Sequence, residues 1–558
     1  MTNREIAKHF ELLSKLMDIH NEDSFRAKSY ATSAFRIEKQ EQELANLDLE
    51  TLKLQPNISA SLAEKIFELT QSGSLQILED YLQKTPKGVV DMLSIKGIGP
   101  KKISLLWQEL GIESIGELEY ACQENRLVTL KGFGAKTQAA ILESIKFMKA
   151  NSGFCLYSEA DALVSLLDKA FEVLYPKALY SPTGAFMQQQ DVMNRIEWVC
   201  TLTPQDILLA FKEIEIIEQT LEANTLIIQI AAFPPLVFHI LETEQEYWLT
   251  LFKTAASEAF ISLFEKDFEY PETIVSEEQI FEKKQINFIP PYLRWNEESI
   301  QQSKANKLPD VIQPKDIKGI IHSHSTYSDG LDSLRAMALA AQVKGYEYLV
   351  ISDHSKAAFY ANGLSEERIK QQHHEIDILN KELAPFKIFK SIESDILYDG
   401  SLDYEDEVLS SFDLVIASVH SNLKMNEDKA MQRLLTAIQH PCTRILGHPT
   451  GRLLLSREGY PIDHKMIIDA CVTHQVVIEI NAHPRRLDLD WTWIQYAIEK
   501  GALLSINPDA HSIDGIDLVQ YGVLSAQKAG LEALHNLSSY TLMEMEQFVK
   551  DRGFRKGV

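Results

Sequence analysis

The 558-residue chain is too long for a single hydrophobic core and reads as three or four domains, which a hydrophobic content of 45% can fill. Its formal net charge of -25 excludes a nonspecific grip on nucleic acid spread over the whole surface, so any DNA contact has to be local. No apolar run approaches membrane-spanning length, and the opening MTNREIAKHFELLSKL is an amphipathic helix without the apolar centre of a signal peptide, which points to the cytoplasm and away from membranes.

Apolar spacing predicts helices over residues 1–85 and again over 86–150, where two short glycine-punctuated turns interrupt them. Residues 151–293 alternate helical stretches with β-rich runs such as LIIQIAAF (226–233), as in a mixed α+β unit, and the polar stretch 294–316 reads as a connector. From 317 to 558 come seven short apolar runs separated by helical or loop-rich segments: KGIIHSHS, YEYLVISDHS, FKIFKSIESD, FDLVIASVHS, TRILGHPT, VVIEINAH and ALLSINPDAH. That alternation predicts a parallel β/α barrel, in which the C-terminal strand ends meet on one face. The five cysteines (Cys122, Cys155, Cys200, Cys442, Cys471) are scattered without CxxC spacing, which suggests reduced core thiols and no thiolate metal site.

Each barrel run ends in polar residues, and collecting them gives His322, His324, Asp329, His354, Glu393, His420, His448, Asp509 and His511. One histidine at a strand end is usually structural. Six histidines and three carboxylates at equivalent places in consecutive units form a ligand set for two or three divalent ions. Imidazole and carboxylate without thiolate suit Mn2+ or Zn2+, with iron also compatible, and such clusters suit in-line displacement at phosphorus. His373, His374, His464 and His474 lie in helical or surface patterns and are left out of the set.

The motifs HSHSTYSDG (322–330), SDHS (352–355), ESD (393–395), SVHS (418–421), GHPTGRLL (447–454), EINAHPRRLDL (479–489) and DAH (509–511) resemble those of the polymerase and histidinol phosphatase (PHP) domain, in order. GHPTGRLL and EINAHPRRLDL look like the version fused to bacterial X-family DNA polymerases. The resemblance implies a distorted (β/α)7 barrel with three metals: His322, His324, Glu393 and Asp509 on one, Glu393, His420 and His448 on a second, and Asp329, His354 and His511 on a third. Among the basic residues after strand ends (Arg452, Arg457, Arg485, Arg486, Lys356), Arg452 is the preferred catalytic candidate for holding a substrate phosphate.

Upstream, MLSIKGIGPKKISLLWQEL (92–110) and LVTLKGFGAKTQAAILESI (127–145) resemble helix-hairpin-helix elements. Gly97, Gly99, Gly132 and Gly134 let backbone amides approach a DNA phosphate, with Lys101, Lys102 and Lys136 adding local charge. The segment 54–78 looks like the first hairpin of the X-family N-terminal domain, with Asn57 and Ser59 in place of its glycines. Its Lys65 matches the position that relatives use as a Schiff-base amine in lyase chemistry.

The resemblance extends to a nucleotidyltransferase-like palm, where it departs. That palm needs Gly-Ser, two aspartates at alternating positions and a third on a neighbouring strand. TGAFMQQQDVMNRIEWV (183–199) has Gly184-Ala185, then Arg195 and Glu197 at the aspartate positions, with Gln229 expected at the third. The basic phosphate-binding run is replaced by residues 187–190, Met-Gln-Gln-Gln.

The expected whole is multidomain, α and α/β: a helical domain (1–85), a tandem helix-hairpin-helix region (86–150), a degenerate palm and thumb (151–293), a linker (294–316) and the PHP barrel (317–558). The expected function is a metal-dependent DNA phosphoesterase in repair, a 3′–5′ exonuclease with abasic-site endonuclease or 3′-phosphatase activity as options, acting on gapped, nicked or 3′-ended DNA. Three alternatives compete: an active gap-filling X-family polymerase, a small-molecule phosphatase of the histidinol phosphate type, and a noncatalytic DNA-binding adaptor.

Overall fold

The computed structural model describes residues 1–22, 24–40, 42–56, 58–95, 97–128, 130, 132–149 and 153–551. It divides into two compact units, one of residues 1–123 and 130–145 and one of residues 124–129 and 146–558. Among the described residues no helix is long and apolar enough to cross a membrane.

The first unit is helical. Its opening helix, Asn3–Ile19, is fixed at the start by a capping box between Thr2 and Glu5 and buries Ile6, Phe10, Leu13 and Met17 along one face. Three later helices matter for function: α1 (Ala60–Ser72), α2 (Pro100–Leu110) and α3 (Ala135–Lys149).

In the second unit a five-stranded mixed sheet comes first, with strands β1 (Tyr180–Thr183), β2 (Ile196–Cys200), β3 (Ile216–Glu222), β4 (Thr225–Ile230) and β5 (Leu236–Ile240) in the order β1-β2-β5-β4-β3. Trp198 and Phe238 stack at 4.8 Å between centroids in its core. The stretch after residue 293 is more than the open connector its polarity suggests. Arg294 is fully buried, donating to Glu277 at 2.7 Å and to the Ile289 carbonyl at 2.8 Å, and Glu297–Lys304 is a helix whose Ile300 joins an aromatic-rich core. The guanidinium is desolvated but paired, so its charge helps organise that core.

Seven parallel strands follow: β6 (Gly319–Ser323), β7 (Tyr348–Ile351), β8 (Lys387–Asp395), β9 (Leu414–Ser418), β10 (Ile445–Leu446), β11 (Val477–Asn481) and β12 (Leu504–Asn507), each paired with its sequence neighbour. The Ala510 carbonyl accepts from the His324 N–H at 2.8 Å, and the Ala510 N–H donates to the His322 carbonyl at 3.3 Å, which brings the last strand back to the first. This is the distorted seven-stranded barrel expected from the motifs. Strand residues alternate as the pleat requires: Ile321, Val350, Phe389, Ile416, Ile445 and Val477 share one core, while Ile320, Leu349, Ile351, Ile388, Val415 and Ile478 belong to another. Gly319 is needed where it stands, because a Cβ there would meet the Tyr348 ring at 2.0 Å.

Candidate metal centre

All nine candidate ligands converge at the C-terminal ends of the barrel strands, and each is almost completely buried apart from the partly buried His420. Glu393, on β8, is the hub. Its Oε1 lies 3.3 Å from His322 Nε2, 3.1 Å from His420 Nε2 and 3.0 Å from His448 Nε2, and its Oε2 lies 2.9 Å from His354 Nδ1. Asp509 Oδ1 stands 3.0 Å from His324 Nε2 and 3.3 Å from His322 Nε2. Asp329 faces His354 Nε2 and His511 Nε2, each at 3.5 Å. Donor atoms of His324, Asp329, His354 and His511 lie within 4.8 Å of one another, as do those of His322, His324 and Asp509, and those of His354, Glu393 and His420.

The backbone is bent to make this possible. His322 (φ 61°), His448 (φ 23°) and Asp509 (φ 53°) all take the left-handed conformation, and the pairing of β6 with β7 shifts register between Ile320 and Ser323. A left-handed non-glycine residue costs on the order of 1 kcal/mol, so three among the candidate ligands mark a site that the surrounding barrel holds in place.

Sequence reasoning missed the residues that orient the ligands. Glu479 on β11 accepts from His322 Nδ1 at 2.6 Å, from the His448 N–H at 3.1 Å, and from Asn481 and Asn507 at 3.0 and 2.8 Å. Asp395 accepts from His420 Nδ1 at 2.6 Å. Asp353 accepts from the Ser325 N–H at 2.8 Å and from Gln372 at 2.6 Å, fixing the loop that carries Asp329. A carboxylate on the far nitrogen of an imidazole sets its tautomer and aims the near nitrogen at the centre. All three lie inside the quoted motifs, and what hid them is that a ligand and a ligand's partner are the same residue types.

Charge and burial pull in opposite directions here. Burial pushes the Glu393 carboxyl up, but His420, His322 and His354 outweigh it and hold the group well below the usual carboxylate range. Burial pushes His420 down, and Glu393 with Asp395 carries it up to about 9. His324 is depressed by burial and by the neighbouring His511 and His354. Buried atoms without a hydrogen-bond partner include His322 Nε2, His324 Nδ1, both nitrogens of His354, both oxygens of Asp329, Glu393 Oε2 and His511 Nε2. Unpaired polar atoms this deep are costly, and their clustering is the fit expected of ligands for divalent cations.

The expected role of Arg452 needs correction. Its Nε donates to the Arg486 carbonyl at 2.8 Å, Nη2 donates to the Leu487 carbonyl, and Nη1 pairs with Asp490. A guanidinium bonded to its own loop through all three nitrogens, with Asp191 Oδ2 3.8 Å from Nη2, holds that loop and is already charge-matched by Asp490 and Asp191. Arg486, fixed in the same loop, has Nε 3.9 Å from Asp509 Oδ2 and is the arginine beside the ligands. Arg452→Ala is accordingly expected to lower stability by roughly 3 kcal/mol in urea unfolding, with turnover of the folded protein changed less than about tenfold. An unchanged unfolding midpoint with a large rise in KM would contradict this.

The two hairpin turns match each other. Gly97 (φ 93°) and Gly132 (φ 92°) are left-handed with open space where a Cβ would point, and the Gly99 and Gly134 carbonyls accept the first helical bonds of α2 and α3. Lys101 and Lys136 are exposed, and Lys102 sits over the Phe133 ring at 5.3 Å. At the first hairpin Ser59 caps α1 with its own hydroxyl, accepting from the Leu62 N–H, and Asn57 lies outside the described residues. Lys65, on α1, donates to Ser61 Oγ at 3.1 Å.

Comparison with known proteins agrees with this layout. A model described as a helix-hairpin-helix domain matches residues 1–75, and one described as a SAM-like helix-hairpin-helix tandem matches residues 89–146. The chain is 31% identical over 571 residues to the DNA polymerase/3′-5′ exonuclease PolX of Bacillus subtilis, covering 99% of this chain and 100% of the relative. The chain belongs to the PolX family. The probable phosphatase YcdX of Escherichia coli is 28% identical over 168 residues, 29% of this chain and 59% of the relative, and that of Shigella flexneri is 25% identical over 248 residues, 42% and 90%. The metallo-phosphoesterase character of this PolX-family chain thus resides in the barrel.

In the five-stranded sheet, the position expected to be Gln229 is corrected. Gln229 lies on β4, separated from β2 by β5, and its amide is spent on the Ile230 and Phe233 carbonyls. The residue beside Glu197 is His239 on β5, whose Nε2 lies 3.3 Å from Glu197 Oε1. Arg195 Nε lies 3.0 Å from Glu197 Oε2. Burial pushes the Glu197 carboxyl up, and His239 and Arg195 outweigh it and keep it low. Gly184, left-handed at φ 60°, packs so close that a Cβ would meet Glu197 Oε2 at 2.3 Å. Beyond Gly184, Gln189 donates to Gln527 at 2.9 Å and Asp191 pairs with Lys528.

Proposed function

We propose that this chain is a 3′–5′ DNA exonuclease dependent on Mn2+ or Zn2+, acting on gapped, nicked or 3′-ended DNA in repair, and that its palm does not transfer nucleotides. The observation that carries the nuclease reading is the nest of buried, hydrogen-bond-deficient donor atoms around Glu393 and Asp509. Divalent ions held there would supply Lewis acidity at phosphorus. The chain's own residues would fix the geometry: Glu393 shared between His322, His420, His448 and His354, Glu479 and Asp395 setting the tautomers of His322 and His420, and Arg486 placing a positive charge next to the cluster. The same chemistry suits abasic-site cleavage and 3′-phosphate removal as accessory reactions.

Loss of polymerase function is supported by the trio of Arg195, Glu197 and His239, in which the one carboxylate is already taken by an ion pair to Arg195 and a hydrogen-bond contact to His239. A two-metal transfer needs carboxylates on both ions. Lys65 keeps the amine that lyase chemistry requires, and trapping with borohydride on abasic DNA is its direct test.

Binding to DNA is assigned to the two matched hairpins, where glycine amides and a few lysines take phosphates despite the acidic total charge. Replacing Lys101, Lys102 and Lys136 by alanine is expected to weaken binding to all sequences alike and to flatten the salt dependence by about 3 in log–log slope. Hydrolysis of a small phosphodiester by that variant should stay close to wild type. Unaltered salt dependence would place the DNA contact elsewhere.

A further inference from the structure

A fourth carboxylate, and a tenth candidate side chain, stands at this cluster from outside the seven strand ends. Residues 124–129, between the helices Ile115–Gln123 and α3 in sequence, belong to the same compact unit as the barrel. Leu127 is fully buried, and Arg126 sits over the Tyr360 ring at 5.3 Å. Glu124, at the start of this segment, is 2% exposed, and its Oε2 lies 3.0 Å from His511 Nε2. Its donor atom shares a 4.8 Å cluster with Asp509 and His511, and Oε1 lies 3.9 Å from the buried His483.

An ion pair with His511 would account for the distance, but the directions argue against it. Glu124 Oε2 and His511 Nε2 are both buried, and neither has a hydrogen-bond partner, so the proton of a charged imidazole is not aimed at the carboxylate. Both Asp329 oxygens and both His354 nitrogens share that condition, with Asp329 3.5 Å from both His354 and His511. Ligands bound to one cation at 2.0–2.2 Å stand about 3.0–3.5 Å apart along the edges of the coordination polyhedron, facing its centre and not one another. The spacings and the missing hydrogen bonds fit that arrangement.

We propose that Glu124 is a ligand of the ion held by Asp329, His354 and His511. This rests on the reading of the barrel as a divalent-metal centre. With Asp329 as the single carboxylate that ion would keep a net positive charge. A second carboxylate neutralises it, tightens its binding and lowers its Lewis acidity relative to the ions around Glu393.

The test uses the full-length protein, stripped with chelator, reloaded with Mn2+ and assayed for bound ions per chain by elemental analysis and for affinity by the electron paramagnetic resonance of free Mn2+. Glu124→Gln keeps the shape and removes the charge. Asp329→Asn marks the same ion from the barrel side. The expected result is that Glu124→Gln weakens one class of Mn2+ sites by at least about tenfold and leaves the remaining sites at wild-type affinity. Asp329→Asn should weaken that same class, and the double variant should lose no further ion, because both residues serve one site. Glu124→Asp, which keeps the charge, should recover part of the affinity. Full ion content with every affinity within twofold of wild type in Glu124→Gln would overturn the assignment and leave Glu124 as the ion-pair partner of His511. A wild-type chain that binds no Mn2+ would instead overturn the metal-centre reading itself, so the two failures are distinguishable.

Discussion

Asp509→Ala and His324→Ala are each expected to abolish the proposed Mn2+-supported phosphodiester cleavage, by at least about a thousandfold, or roughly 4 kcal/mol of transition-state stabilisation. Asp509 Oδ1 stands 3.0 Å from His324 Nε2 and 3.3 Å from His322 Nε2, so removing its carboxylate takes away the nearest negative charge to His324 Nε2 and leaves only Glu393, at 3.3 and 3.8 Å, facing both imidazoles. Glu393 cannot take over both roles, because its oxygens also face His354, His420 and His448. Glu479, which faces His322 from its other nitrogen, is committed to His322 Nδ1, Asn507 and the His448 N–H. Deleting Asp509 also takes away one of the two acceptors of Asn481 Nδ2, at 3.1 Å, and the carboxylate 3.9 Å from Arg486 Nε. Both variants should remain folded, because the barrel's two apolar cores, built from strand and helix side chains, do not include the ligands. Cleavage of end-labelled DNA by purified variants, with circular dichroism to confirm folding, is the measurement. Activity within tenfold of wild type in either variant would remove the cluster from catalysis.

Much of this centre was legible in the sequence, for one physical reason. A parallel barrel collects its C-terminal strand ends, so polar residues closing seven successive apolar runs have to meet. His322, His354, Glu393, His420, His448 and Asp509 could therefore be gathered without knowing a single distance. The residues behind them could not be sorted, since Glu479 and Asp395 differ from ligands only in which imidazole nitrogen they face. Arg452 was misread because a guanidinium after a strand end looks the same whether it faces a phosphate or its own loop's carbonyls. Gln229 was placed by its position in an apolar run, and strand order, which pairs β2 with β5, is not written in that run. Glu124 had no signal, because it stands just before the second hairpin motif, far in sequence from the strand ends, and meets His511 only through the tertiary fold.

No template-directed nucleotide addition should occur on gapped DNA, even when the nuclease is silenced by Asp509→Ala. Silencing is needed because an active exonuclease would erase each added nucleotide. At the palm Glu197 is 6% exposed and flanked by Arg195 at 3.0 Å and His239 at 3.3 Å, where a polymerase would hold two cations. A guanidinium about 4 Å from an incoming cation opposes it by roughly 1–4 kcal/mol per unit charge between bulk-water and protein-surface screening, and a divalent ion doubles the figure. Arg195 is 60% exposed, which places the effect toward the low end, yet the missing second and third carboxylates remain. Ala185 lacks the hydroxyl that the expected Gly-Ser pair would bring to a phosphate, and Gln189 and Asp191 are engaged with Gln527 and Lys528. Single-nucleotide insertion by the Asp509→Ala protein with Mg2+ or Mn2+ should not exceed a buffer control. Extension well above that control would restore the palm as an active centre.

The most direct measurement of the central claim is digestion of a 5′-labelled, gapped duplex by the wild-type chain, first stripped of metal and then given Mn2+. A ladder of strands shortened stepwise from the 3′ end, appearing only after Mn2+ is returned and absent in the Asp509→Ala protein, is the predicted result. Intact DNA after metal is restored, or equal shortening by the Asp509→Ala protein, would contradict it.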